Sequence, residues 1–186
     1  ADSVSQGKVV KLEGDVNTRL HESTSVVTKD GNTMYFTRNN FFDGRRKKDE
    51  EGIIRLKIYS AEKVNGEWTN IVELPFNSDS YSVAHPMLSP DEKKLYFVSD
   101  MTGSLGASDI FVTEIIGDGT YGPIQNLGSN INTIGRETFP FITADGVLYF
   151  ASDGHQGLGG LDVFATKIAY NDYSQPVVNV GRPVNS

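Results

Sequence analysis

Two loops in this sequence carry acidic side chains whose spacing could bind a ligand. Each has two aspartates nine residues apart, Asp100 with Asp109 and Asp153 with Asp162. Carboxylates beside glycine-rich backbone are ligands that calcium prefers, so one interpretation is a calcium site. In the other, Asp109 and Asp162 accept hydrogen bonds from backbone N–H groups of their own loops. We favour the second, because calcium sites use roughly six to eight oxygens and each loop offers two carboxylates.

A third loop combines aromatic residues with a run of opposite charges. Residues 39–52 read NNFFDGRRKKDEEG, with four consecutive cations followed by three anions. Arginines beside aromatic anchors are suited to docking an acidic protein segment. The alternative is a solvated surface loop whose charges neutralise each other, the commoner meaning of a charge run. The predicted partner-binding residues are Phe41, Phe42, Arg45, Arg46, Lys47 and Lys48.

The three histidines do not indicate a metal centre. No pair of them has a ligand spacing such as H-x-x-x-H, and the chain contains no cysteine. His21 and Arg136 occupy equivalent places in the repeat described next and are predicted to face a central channel. We therefore expect no cofactor, with calcium as the disfavoured exception.

A repeated four-part pattern shows which elements position these loops. The tripeptides at 34–36, 95–97 and 148–150 (MYF, LYF, LYF) each follow a turn that contains an aspartate, which predicts three hairpins. A third apolar segment and a fourth segment opened by an aromatic residue follow in each copy. An apolar-Asn-Ser/Thr step recurs at intervals of 60, 55 and 53 residues. The structural repeat positions are Asn17, Asn77, Asn132, Asn185, Asp30, Asp91, Asp145, Tyr35, Tyr96 and Tyr149.

Four antiparallel strands in a unit of about 50 residues are typical of a β-propeller blade. The predicted fold is all-β, with three blades and one extra strand that form part of a larger propeller. Residues 1–18 are assigned to the outer strand of a preceding blade, 19–78 to blade 1, 79–133 to blade 2 and 134–186 to blade 3. Because an incomplete ring exposes apolar end faces, self-association through the open blade edges is a further expectation.

Composition narrows the classes of partner. The 186 residues carry a net charge of -7, which disfavours nucleic acid and anionic membrane surfaces. No apolar run approaches the roughly 18 residues that span a bilayer, so direct membrane insertion is not expected. Without cysteine there is neither a disulfide nor a thiolate nucleophile.

Blade 2 resembles the TolB-like propeller repeat, through LSPD at 88–91, LYFVSD at 95–100 and DIF at 109–111. With GLGGLDVF at 157–164 and the Asn-Ser/Thr steps, the chain is similar to propellers of periplasmic OmpA-family proteins of the Bacteroidetes, such as the PorE-like component of type IX secretion. The resemblance implies a non-catalytic interaction scaffold in the periplasm, associated with the outer membrane and bound to envelope proteins. It implies that the chain is not an enzyme.

Two enzymatic alternatives to this prediction are disfavoured. A carbohydrate-binding or glycoside-acting propeller would use two carboxylates at a controlled separation, but the Ser-x-Asp-x-Gly-x-x-Trp box of sialidases does not occur. The propeller of a prolyl-oligopeptidase-type hydrolase would need a separate domain with a Gly-x-Ser-x-Gly elbow, and that motif does not occur in these residues. A non-enzyme is therefore the prediction.

Overall fold

The computed structural model describes residues 10–18, 21–42, 45–46, 48–117, 119–168 and 172–186, with only the backbone described at 41, 42, 45 and 46. Every regular element in these ranges is a β-strand. They accordingly contain no helix of the length and apolarity needed to cross a membrane.

The strands form three antiparallel blades and one short hairpin, which confirms the predicted all-β propeller fold. Blade 1 consists of β1 (Glu22–Val27), β2 (Thr33–Asn39), β5 (Leu56–Val64) and β6 (Glu67–Glu73), and the hairpin β3 (Phe41–Phe42) and β4 (Arg45–Arg46) lies between β2 and β5. Blade 2 consists of β7 (Val83–Leu88), β8 (Lys94–Ser99) and β9 (Asp109–Gly117), with β10 (Thr120–Tyr121) and β11 (Gln125–Asn126) sharing the outer position against β9. Blade 3 consists of β12 (Glu137–Ile142), β13 (Val147–Ser152), β14 (Asp162–Lys167) and β15 (Val178–Asn179).

Each blade opens with a hairpin whose turn is held by an aspartate. In all three turns the carboxylate accepts a hydrogen bond from a Ser or Thr hydroxyl two residues earlier, at 2.5, 2.6 and 2.7 Å. These bonds stabilise the charged form, and they lower the pKa of all three carboxyls. The three turn residues are Asp30, Asp91 and Asp145.

Apolar side chains between neighbouring blades form the core. Tyr35 of blade 1 packs with Leu95 and Phe97 of blade 2, and Tyr96 of blade 2 packs with Phe150 of blade 3. Burying a side chain of this size stabilises a fold by roughly 2–3 kcal/mol. The repeated Leu/Met-Tyr-Phe strand therefore has a physical basis, because its residues alternate between the two faces of a blade.

An asparagine side chain closes each blade next to its third strand. Its Oδ1 accepts the N–H of a third-strand residue at 3.0, 2.8 and 2.8 Å, and its Nδ2 donates to the C=O of the same residue at 2.7, 2.9 and 2.8 Å. The side chain thereby takes the place of a paired strand residue. The pairs are Asn77 with Ile58, Asn132 with Ile110 and Asn185 with Val163.

The segment before blade 1 lies along the outer strand of that blade. Asp15 N–H donates to the Trp68 carbonyl at 2.8 Å, and Trp68 N–H donates to the Glu13 carbonyl at 3.0 Å. Within the segment, Asn17 donates to the Leu12 carbonyl at 2.7 Å. The connection between blades 2 and 3 has a similar relation to blade 3, because Asn130 Nδ2 donates to the Tyr173 carbonyl at 2.8 Å.

Candidate functional site

The candidate site lies on the loop face, which we define as residues 39–42, 45–46, 48–55, 100–108 and 153–161 with the connections between blades. A cleft of about 210 Å³ opens there beside the inner strands of blades 2 and 3. We call it the inner-strand cleft. Its polar lining comprises Ser82, His85, Ser99, Asp100, Ser108, Arg136 and Thr138.

Arg136 precedes the inner strand of blade 3 and its backbone is held from two blades. Its N–H donates to Asp153 Oδ1 at 2.6 Å, and its carbonyl accepts the Asp153 N–H at 3.3 Å. A parallel β-bridge also joins it to Ser108 of blade 2. The Arg136 side chain is exposed, and within the described residues its guanidinium has no hydrogen bond or ion pair. A fixed backbone thus presents an unpaired cation to the cleft.

His85 occupies a β-bulge in the inner strand of blade 2, at a positive φ of 54°. Its Nδ1 lies 2.9 Å from Thr24 Oγ1 of blade 1, and its N–H donates to Thr37 Oγ1 at 2.9 Å. Burial lowers the pKa of the His85 imidazole, so the ring is neutral at pH 7. The histidine therefore links blades 1 and 2 at their inner ends.

Phe139 occupies the corresponding bulge in blade 3, at a φ of 51°. Its ring centroid lies 4.2 Å from that of His85, and half of the residue is exposed. Thr24 is at the matching irregularity of β1, between Ser23 and Ser25. Three inner strands thus place Thr24, His85 and Phe139 in one row, which continues beyond the cleft.

The carboxylate of Asp100 is already engaged on both sides. Its Oδ1 accepts the Ser82 N–H at 2.6 Å, and its Oδ2 lies 3.3 Å from Arg55 Nη1. Arg55 in turn bonds Asp49 at 2.6 Å within the loop of blade 1. Asp100 thus shares Arg55 with Asp49 and Glu51, and its ion pair does not involve Arg136.

The four aspartates considered for calcium each accept hydrogen bonds from backbone N–H groups of the protein. Asp109 accepts the N–H groups of Leu105 and Gly106 at 2.7 and 3.2 Å. Asp162 accepts those of residues 158 and 159. Asp100 and Asp153 instead hold the backbone that precedes the inner strands. In the part of the chain that the structure describes, no three His, Asp or Glu side chains are grouped so that they could hold a metal ion.

The residues predicted to dock an acidic partner are only partly described. Phe41–Phe42 pairs with Arg45–Arg46 as a two-stranded hairpin, Lys48 is exposed, and Lys47 lies outside the described residues. The loop is fastened at its base, where the Asn40 N–H donates to the Arg55 carbonyl at 2.7 Å. Partner binding by this loop stays a prediction.

The sequence predicted that Arg136 faces a central channel, but it did not show that Arg136 and His85 line the same cleft. The signal was present in His85-Pro86 and Phe139-Pro140, because a proline inside a strand marks a bulge. Packing of two blades then brings the side chains together, which no pattern within one blade could show.

The solved structures that resemble this chain with a TM-score of 0.50 or more include puromycin hydrolases and a prolyl endopeptidase. A crystal structure of a puromycin hydrolase matches 92% of this chain and 24% of its own, with a TM-score of 0.57 and 13% identity. A puromycin-hydrolyzing peptidase of Mycobacterium tuberculosis matches 88% of this chain and 22% of its own, with a TM-score of 0.55 and 16% identity. A structure from a study of two prolyl endopeptidases matches 86% of this chain and 19% of its own, with a TM-score of 0.50 and 16% identity.

This chain therefore spans about a quarter or less of the length of these three structures. No protein-family model matches it, and the comparison with curated proteins found no match. At these identities the likeness establishes the fold, a partial β-propeller.

The comparisons correct three predictions drawn from the sequence. The assignment to TolB-like and PorE-like propellers is wrong, because the matched structures are peptidases. The predictions of a non-catalytic envelope scaffold and of a chain that is not an enzyme are wrong for the same reason. The glycoside-acting alternative is also not supported, since the matched enzymes act on other bonds. Repeat motifs determine how a blade folds and are shared by propellers of different function, which is why they misled.

Proposed function

We propose that this chain is the substrate-binding part of a peptidase propeller, and that its loop face contacts the peptide. The observation that supports the proposal is the match of 86–92% of the chain to three peptidase structures. The polar inner-strand cleft on the loop face is where a peptide would be held. The peptidase activity itself would reside in residues beyond these 186.

Among the residues that the structure describes, the one hydroxyl–histidine contact does not form an activated nucleophile. Thr24 and His85 have the contact of a hydroxyl and a base, at 2.9 Å. A catalytic base is normally oriented by a third group, and the second ring nitrogen of His85 has no hydrogen bond to a described residue. Its lowered pKa also makes the imidazole a weaker base. We interpret the pair as a link between blades, and we assign the bond-breaking step to a serine outside the chain.

The cleft suits the backbone and end groups of a peptide. Hydroxyl groups of Ser82 and Thr138 line it, and the neutral ring of His85 and the guanidinium of Arg136 add further hydrogen-bonding groups. Such groups orient a substrate without taking part in bond breaking. Small-molecule and peptide sites typically combine a concave surface with a few placed polar groups.

The test is an assay of the full-length protein that contains this chain. We expect it to hydrolyse aminoacyl and prolyl p-nitroanilides, and we expect an organophosphate to label a serine outside these 186 residues, located by mass spectrometry. Arg136→Ala should raise KM with little change in kcat, since a binding group was removed. Arg182→Ala, which removes another exposed arginine, is the matched control and should leave KM unchanged.

Hydrolysis of p-nitrophenyl glycosides in place of the anilides would overturn the proposal. So would the finding that the full-length protein neither hydrolyses nor binds peptides.

A further inference from the structure

We infer that Arg136 and His85 form a binding site for a carboxylate group in the inner-strand cleft. The ligand is a peptide carboxylate, either the free C-terminus or an acidic side chain. The identification of the carrier as a peptide rests on the proposed function, whereas the carboxylate site rests on the geometry below.

The first argument is that the side chain before the inner strand differs in every blade, and that of these three residues only Arg136 carries a permanent positive charge. The residue before each inner strand is His21 in blade 1, Ser82 in blade 2 and Arg136 in blade 3. In blades 2 and 3 the acceptor of this residue's N–H recurs, because Asp100 and Asp153, which follow the second strand of their blades, each accept it at 2.6 Å. A recurring group belongs to the scaffold, and the group that does not recur is the candidate for recognition.

The second argument is charge. The protein carries a net charge of -7, so a free carboxylate is repelled at long range and needs a local cation to bind. Arg136 is that cation, since its guanidinium is unpaired within the described residues, whereas Asp100 pairs with Arg55 at 3.3 Å. A planar guanidinium also matches the two oxygens of a carboxylate in a bidentate arrangement.

The third argument is preorganisation. Arg136 is anchored by Asp153 and by the bridge to Ser108, and the next residue, Glu137, donates its N–H to the Ser108 carbonyl at 2.8 Å. Such anchoring fixes the point from which the long side chain reaches the ligand. Binding then costs less conformational entropy than it would on a mobile loop.

His85 is placed to add a second contact. Thr24 occupies Nδ1, and the other ring nitrogen has no partner among the described residues. A tautomer with the proton on Nε2 can donate to a carboxylate oxygen while Thr24 donates to Nδ1. The half-exposed Phe139, whose ring is tilted against that of His85 with centroids 4.2 Å apart, would contact the adjoining apolar part of the ligand.

The experiment measures peptide binding to the 186-residue chain by isothermal titration calorimetry. Three probes are compared: an Ala-Ala-Pro-Ala peptide with a free C-terminal acid, the same peptide as its C-terminal amide, and an amide in which the last residue is aspartate. The acid should bind about tenfold or more tightly than the plain amide, because hydrogen bonds to a charged group are among the strong ones. The aspartyl amide distinguishes recognition of an acidic side chain from recognition of the terminus.

Arg136→Ala should remove the preference for the acid, and Arg136→Lys should restore part of it because the charge returns without the planar fork. His85→Gln should weaken binding of the acid severalfold and leave binding of the amide unchanged. Arg182→Ala is the control for loss of one exposed positive charge. Circular dichroism and thermal unfolding establish that each variant is folded, and the lysine variant keeps the test valid should the alanine variant fail to fold.

Equal binding of the acid and both amides would overturn the inference, as would equal losses in Arg136→Ala and Arg182→Ala, since those indicate nonspecific attraction. The two proposals fail separately. A preference for the acid without hydrolysis by the full-length protein contradicts only the peptidase proposal. Hydrolysis without a preference for carboxylates contradicts only this site.

Discussion

Blades 1 and 2 fill the same buried position with opposite charges. The residue immediately before Ile58 is Lys57, and the residue immediately before Ile110 is Asp109. Both are buried, and both contact a fourth-strand side chain: Lys57 lies 2.6 Å from Glu73, and Asp109 accepts from Asn126 at 2.6 Å. The position therefore requires a satisfied polar group, while the sign of its charge is set by the neighbours.

The loops explain why the signs differ. In blade 2 the loop before the third strand turns its N–H groups toward Asp109, which caps them. In blade 1 the longer loop holds itself together, because Asp49 accepts the N–H groups of residues 51 and 53 and binds Arg55. The third strand is then free to use Lys57 against Glu73 and Asp79, at 2.6 and 2.7 Å. Because of the insertion, blade 1 does not need an aspartate here to accept loop N–H groups, whereas blades 2 and 3 do.

Asp109→Ala should lower the free energy of unfolding more than any other substitution considered, if the two blades differ in this way. The change leaves two partly buried loop N–H groups without their acceptor and removes one of the two acceptors of the Asn126 amide, and such losses lower the free energy of unfolding by about 4 kcal/mol. Urea unfolding of the 186-residue chain measures it. Asp100→Ala in the same loop, where the carboxylate is one-third exposed, is the matched control and should cost about 1 kcal/mol. Equal losses would break the comparison.

Asn132→Ala should rank second, with a loss of about 3 kcal/mol, because its amide makes both hydrogen bonds with buried Ile110 and a third with Asn126. Asn77→Ala in blade 1 should cost less, about 2 kcal/mol, since Asn77 is half-buried and bonds Ile58 alone. Urea unfolding again gives the two values. A larger loss in blade 1 would contradict the view that blade 2 has the more interdependent network.

Lys57→Met should lower the free energy of unfolding by about 2 kcal/mol. The loss is moderate because the carboxylates of Glu73 and Asp79, which lose their cation, are partly exposed and can be hydrated. Lys57→Asp should be worse, since it places a third carboxylate beside them. Adding Glu73→Asn to Lys57→Asp copies the pair of blade 2 and should recover part of the stability. Thermal unfolding at low and high salt compares the three. No recovery in the double variant would mean that the loop, rather than the pair, decides the sign.

The smallest effect concerns a feature in which the blades agree. The pKa of Asp30 and that of Asp91 are both lowered from 3.8, chiefly by the hydrogen bond from the Thr or Ser hydroxyl of the turn. A lowered pKa in the folded state contributes stability above pH 3.8 that is lost as the pH falls through the folded-state value. Asp30→Asn and Asp91→Asn should therefore each flatten the dependence of Tm on pH between pH 2 and 5, by similar amounts. A response confined to one blade would show that the turns are not equivalent.

The sequence was sufficient for the features that repeat within a blade. The aspartate turns, the Leu/Met-Tyr-Phe strand and the asparagine steps recur with the same local partners, so their positions could be read from the pattern. The replacement of Asp109 by Lys57 could not be read from the pattern, because the insertion in blade 1 moves its third strand away from the spacing of the other blades. The cleft of Arg136 and His85 depends on the packing of two blades and on two bulges, which are properties of the assembled sheet.

The asparagine that closes each blade has a consequence for hydrogen exchange. The amide protons of Ile58, Ile110 and Val163 are bonded to side-chain oxygens, and those oxygens belong to the connections that follow each blade. Their exchange rates therefore report the detachment of a connection while the strands remain paired. Three backbone protons could follow the opening of each blade separately, without any label added to the protein.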